Sequence, residues 1–115
     1  MGDGLLPSVG EELLATIVEP AELVAYQDGA VVSRAVAKKP TGTITAFAFD
    51  KGQELSEHTA PFDAMVQVLD GQVELTVGGR PFRLTAGQLL IMPANVPHAV
   101  TAVERFKMLL TMIRS

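Results

Sequence analysis

GQELSEHTAPFDAMVQVLDG, residues 52–71, decides how the chain is read. A histidine at 58 is followed by a break at Pro61, a short apolar run and an Asp-Gly turn. The same texture extends outward on both sides. AVVSRAVA, GTITAFAF, QVELTV, FRL, QLLIM, HAVTAV and FKMLLTMI are short runs rich in Val, Ile, Phe and Thr. They are separated by KKPTG, DKGQ, DG, GGRP, TAG and PANVP. Short strands at close spacing between Gly/Pro turns read as an all-β sandwich or barrel. Asp70-Gly71 and Gly78-Gly79 are hairpin signals. The chain leaves no room for crossover helices, so the sheets are expected to be antiparallel.

The first 29 residues differ from the rest. They are expected to form an N-terminal segment with one or two short helices, packed on a barrel that spans residues 30–115. Ser8 and Glu11 have capping-box spacing ahead of Leu13, Leu14 and Ile17, although Thr16, Ile17 and Val18 are β-branched. In EPAELVAYQDG, Pro20 suits a first helical turn, Glu22 its dipole, and Gly29 its end.

With 115 residues, one domain is expected, large enough for its own core. Apolar residues make up 48% and charged residues 19%, so the surplus apolar surface points to a subunit interface. The net charge is −4 and no basic cluster exceeds Lys38-Lys39, which argues against nucleic-acid or anionic-membrane partners. Cysteine is absent, which excludes disulfides, thiolate nucleophiles and Cys-ligated zinc. The opening residues show no basic start before an apolar run, and Leu6 stands where a myristoylation signal wants Ser or Thr. No apolar stretch reaches membrane-spanning length. A cytoplasmic location is the expectation.

Alternation assigns faces. Thr43, Thr45, Phe47 and Phe49 oppose Ile44, Ala46 and Ala48. In the last run, Phe106, Met108, Leu110 and Met112 share one face while Leu109 and Ile113 share the other. A strand apolar on both sides is buried on both, either under the N-terminal segment or against a second copy. A homodimer is expected.

The two histidines, His58 and His98, sit in two motifs that together resemble the cupin superfamily. Its first motif reads Gly, five residues, His, one, His, three or four, Glu, six, Gly. Gly52, His58 and Gly71 match it, with Ala60 at the second His and Ala64 at the Glu. Its second reads Gly, five, Pro, one, Gly, two, His, three, Asn. Gly87, Pro93 and His98 match it, with Asn95 for the Gly and Ala102 for the Asn. Asn tolerates a left-handed backbone, so that turn is expected to survive. The sequence is most similar to small stand-alone bacterial cupins of undefined function. The resemblance implies an antiparallel double-stranded β-helix, the cupin jelly-roll barrel. Active cupins hold a transition metal through three His and a Glu. By the resemblance only the first and last ligands remain, His58 and His98.

Two imidazoles alone make a poor site, since zinc takes three protein ligands and non-haem iron two His and a carboxylate. Asp63 and Glu57 are out of phase with the pair, while Ser56 shares the strand face of His58. Three readings follow. In the preferred one, a small molecule binds beside His58 and His98, which act as hydrogen-bonding or acid-base groups and are the catalytic candidates. Ser56, Ala60, Ala64, Phe47, Phe49, Phe106 and Met108 would complete that pocket. In the second, His58 and His98 hold a divalent ion (Mn, Fe, Ni, Zn or Cu) in a dioxygenase- or isomerase-like enzyme. In the third, the protein is a non-catalytic interaction module.

Overall fold

The computed structural model describes residues 10–114. Nine strands follow one another: β1 (Val31–Lys39), β2 (Gly42–Phe49), β3 (Glu54–His58), β4 (Asp63–Asp70), β5 (Gln72–Val77), β6 (Arg80–Thr85), β7 (Leu89–Met92), β8 (His98–Ala102) and β9 (Phe106–Ile113). They form two antiparallel sheets, one ordered β1-β2-β9-β4-β7 and the other β3-β8-β5-β6. One apolar cluster lies between them. It takes Phe49, Val66, Val68, Phe106 and Met108 from the first sheet and Val73, Leu75, Val100 and Ala102 from the second.

Turn chemistry sets the connections. Gly78 and Gly79 both have positive φ (56° and 82°) and join β5 to β6 as a two-residue loop between Val77 and Arg80. Two left-handed residues in succession match the twist of the flanking strands. Asp70-Gly71 does something else. β4 pairs with β7 and β9, while β5 pairs with β6 and β8, so the turn carries the chain from one sheet to the other and is not a hairpin. Gly71 is needed there because a Cβ would stand 1.7 Å from the Arg105 carbonyl oxygen.

The expected N-terminal helices are not formed. Among the described residues the segment has only 3₁₀ turns of three residues, Glu11–Leu13 and Pro20–Glu22. Ser8 of the expected capping box lies outside the described residues. The physical reason is local. Thr16, Ile17 and Val18 favour extended backbone, and Ile17, which would need a helix face to bury it, is 100% exposed. What holds the segment is the barrel. Leu23, Val24 and Tyr26 cover Ala46, Ala48, Val32, Val36 and Leu109 on the outer face of the first sheet. One face of β9 therefore lines the core and part of the other lies under the chain's own N-terminal segment. No helix among the described residues is long and apolar enough to cross a membrane.

Candidate functional site

His58 and His98 belong to different strands that lie side by side. β3 pairs with β8, and the two histidines face each other across that ladder. Their rings meet edge to face with centroids 4.3 Å apart. His98 is buried and His58 exposed, so the pair runs from the interior to the lip of the barrel.

A bulge makes this pairing possible. Leu55 pairs with Val100, but the next pair is His58 with His98, so Ser56 and Glu57 together oppose Ala99. Leu55 and His58 both face inward, and Leu55 packs on the core. The expected sharing of a face by Ser56 and His58 fails, because strict alternation is broken between them. Ser56 contributes its backbone instead. The Nδ1 of His58 lies 2.8 Å from the Ser56 carbonyl oxygen, and the Nδ1 of His98 lies 3.2 Å from that of Val96. A carbonyl only accepts, so each Nδ1 carries the proton and each Nε2 presents a lone pair. Burial pulls the His98 pKa below its ordinary value, the nearby His58 adds to the effect, and the bond to the Val96 carbonyl opposes it.

Both crossings between the sheets at this end are short. β3 ends at His58 and β4 begins at Asp63; β7 ends at Met92 and β8 begins at His98. The two connecting loops are tied together. The Asn95 amide donates to the Ala60 carbonyl at 2.7 Å, and the Ala94 amide to Asp63 Oδ1 at 2.9 Å. Asn95 has a φ of 65°, the left-handed turn expected for it. Asp63 is thus a loop brace on the exposed side, while its neighbour Ala64 is buried and turned into the core.

The pocket residues expected from alternation divide by depth. Phe49, Phe106 and Met108 are fully buried, and the rings of Phe49 and Phe106 stack at 4.7 Å. They lie at the far end of β2 and β9. Met108 is four residues along the strand from Met112, which is roughly 13 Å. With Phe47, tilted against Phe49 at 5.9 Å, they form core and not mouth. Of the residues at the histidines' end of the barrel, Ala64 is among the expected pocket residues, whereas Thr43, Met92 and Met112 are not. Ala64 pairs with Met92 on one side and Met112 on the other, and Met112 pairs with Thr43. Among the described residues the buried Thr43 hydroxyl has no hydrogen-bond partner. Thr43 and Met112 also line a groove of about 220 Å³ that opens between the ends of β1, β2 and β9. Motif spacing places Ala64, but Thr43, Met92 and Met112 come from three further strands and are unreadable without strand order.

Two antiparallel sheets closed on one core, with paired histidines at one mouth, define a small double-stranded β-helix protein. Residues 46–113 match the cupin-domain family, and the chain belongs to the cupin superfamily. It is similar in structure to a conserved protein of unknown function from Streptococcus pyogenes, at 34% identity and a TM-score of 0.88, covering 96% of each chain. It is similar to a cupin 2 conserved barrel domain protein from Leptotrichia buccalis, at 45% identity and a TM-score of 0.80, over 82% of this chain and 46% of that one. A cupin superfamily protein from Desulfitobacterium hafniense is 28% identical with a TM-score of 0.80, over 83% and 87%. No curated protein matches the chain.

The family's usual metal is held by three His and a Glu. Among the described residues no group of three or more His, Cys, Asp or Glu could hold a metal ion. The donor set at this mouth does not fit the family's divalent site.

Proposed function

We propose that the chain binds a small molecule at the mouth beside His58 and His98, with the two imidazoles as its polar, proton-exchanging contacts. One observation carries this reading: both rings have Nδ1 tied to a backbone carbonyl, so Nε2 is the atom each can offer a ligand, at the end of the barrel where Ala64 is buried and where, among the described residues, the Thr43 hydroxyl has no partner. An apolar concavity with a few convergent polar groups is what ligand sites look like. Neutral imidazoles suit proton exchange near neutral pH, since Nε2 accepts without first losing a proton. Ala60 and Ala64, small where the family carries bulk and charge, leave room for such a ligand. The same reading includes a homodimer, supported by apolar side chains that stay exposed on the outer face of the first sheet.

The test is a thermal-shift series on the purified protein. Mn(II), Fe(II), Ni(II), Zn(II) and Cu(II) are expected to leave the melting temperature unchanged, and a member of a library of small carboxylic and aromatic metabolites to raise it. At one hundred times the dissociation constant a ligand stabilises by about 2.7 kcal/mol, well within detection. The shift should vanish in both His58→Ala and His98→Ala. A divalent-ion shift lost in both variants would replace this reading with the metalloenzyme one, dioxygenase- or isomerase-like. No shift with either class would leave a surface-interaction module.

A further inference from the structure

Among the described residues the mouth lacks a carboxylate facing inward, but two imidazoles and two soft thioethers stand at that end of the barrel. His58 closes β3, His98 opens β8, Met92 closes β7, and Met112 is the penultimate residue of β9. All four therefore stand at the end of the barrel where the chain crosses between sheets. Ala64 pairs directly with both Met92 and Met112, so the three side chains share the inner face of the first sheet. Residues directly opposite in an antiparallel ladder have Cβ atoms about 4.5–5.5 Å apart. Ala64, with a single methyl, is the residue that separates the two methionines in the ladder, where a longer side chain would fill the space toward the thioethers. On the facing sheet His58 and His98 present Nε2, because each Nδ1–H is held by a carbonyl.

We propose that His58, His98, Met92 and Met112 form a site for a soft monovalent metal ion, Cu(I). All four donors are neutral. A divalent ion brought into this wall would lose its water with no carboxylate to balance its charge, which is costly. A singly charged ion loses less, and thioether sulfur selects Cu(I) over the harder ions. Methionine is also a common filler of cores. A filler role is satisfied by leucine, whereas a ligand role is not, and this separates the two.

The experiment uses the whole chain under anaerobic, reducing conditions. Cu(I) is titrated against the colorimetric chelator bicinchoninate, and Ag(I) serves as a redox-silent surrogate in thermal melts. One Cu(I) per chain is expected, undisturbed by a tenfold excess of Zn(II) or Mn(II), with sulfur in the copper coordination shell by X-ray absorption. Met92→Leu and Met112→Leu should each weaken Cu(I) binding by about tenfold or more, and His98→Ala at least as much. Leucine conserves volume, so both Met variants should melt close to the parent. Unchanged Cu(I) affinity in the Met92→Leu/Met112→Leu double variant would overturn the proposal. So would the absence of Cu(I) binding, or equal competition by Zn(II). Because no organic ligand enters this measurement, the small-molecule reading stands or falls separately.

Discussion

At the scale of single residues, Ala64 decides what the mouth can hold. It is buried between Met92 and Met112, at the same end of the barrel as a histidine pair whose Nδ1 atoms are taken by backbone carbonyls. Ala64→Glu would return a carboxylate to that position and complete a two-His, one-carboxylate set. The metal-free variant should be destabilised by about 1–3 kcal/mol through overpacking and an unpaired polar group. It should also gain what the parent is expected to lack, a rise in melting temperature with Mn(II) or Zn(II). A variant as indifferent to these ions as the parent would mean that Ala64 does not face the histidines. The motif spacing alone brought His58 and His98 into view as a pair. Ser56 was misplaced because a one-residue bulge reverses every facing beyond it, and nothing in ELSEH announces a bulge. Alternation puts Met112 on the inward face of the last strand, but neither it nor Met92 was legible as a neighbour of Ala64, because a thioether carries no motif and that adjacency exists only in the folded register.

Among the elements, the N-terminal segment is held to the barrel by polar as well as apolar contacts. Tyr26 donates to Asp70, and its ring is flanked by the Arg105 guanidinium at 5.4 Å and the Lys107 ammonium at 4.9 Å. Arg105 reaches Asp28 in the segment and Asp50 after β2, and Asp50 Oδ2 accepts from the Gly29 amide at 2.7 Å. The bond from Arg105, followed by those from the Gly29 and Lys51 amides, holds the Asp50 carboxyl down to about 2. Its pKa is thus lower folded than unfolded. The stabilisation is complete above the unfolded value near 3.8 and is lost as pH falls toward 2. The segment should loosen in that window before the barrel opens. Tyr26 is the single tyrosine and there is no tryptophan, so intrinsic fluorescence reports on this element. An acid titration should show a Tyr26 change below about pH 4 that is absent in Asp50→Asn; an unaltered titration in that variant would remove Asp50 from the hold. Strand identities were legible because β-rich runs between Gly/Pro turns survive any context; QVELTV and FKMLLTMI coincide with β5 and β9. The helices were not. Pattern and capping signals describe what a segment permits, and here docking on the outer sheet face selected an irregular path.

For the molecule as a whole, the uneven cover of that outer face bears on assembly. The N-terminal segment shields the β1-β2-β9 side. Toward β7 and the end of β9, Leu89, Ile91 and Ile113 remain 48%, 57% and 61% exposed. The register joins them into one patch: Leu89 pairs with Gln67, Ile91 with Met65, and Asp63 with Ile113. Fully burying a large aliphatic side chain stabilises by about 1.5–3 kcal/mol, so three together contribute on the scale that association requires. A two-fold contact would let the patch meet its own copy, the commonest closed arrangement. Light scattering at low micromolar concentration should give twice the 12.2 kDa chain mass. Ile91→Glu should return the monomer, because it sets like charges against each other across the two-fold axis while leaving the interior untouched. Its melting temperature should then fall only by what the dimer supplied and become independent of protein concentration. A parent that scatters as a monomer, or an Ile91→Glu variant that stays dimeric, would take this face out of the assembly.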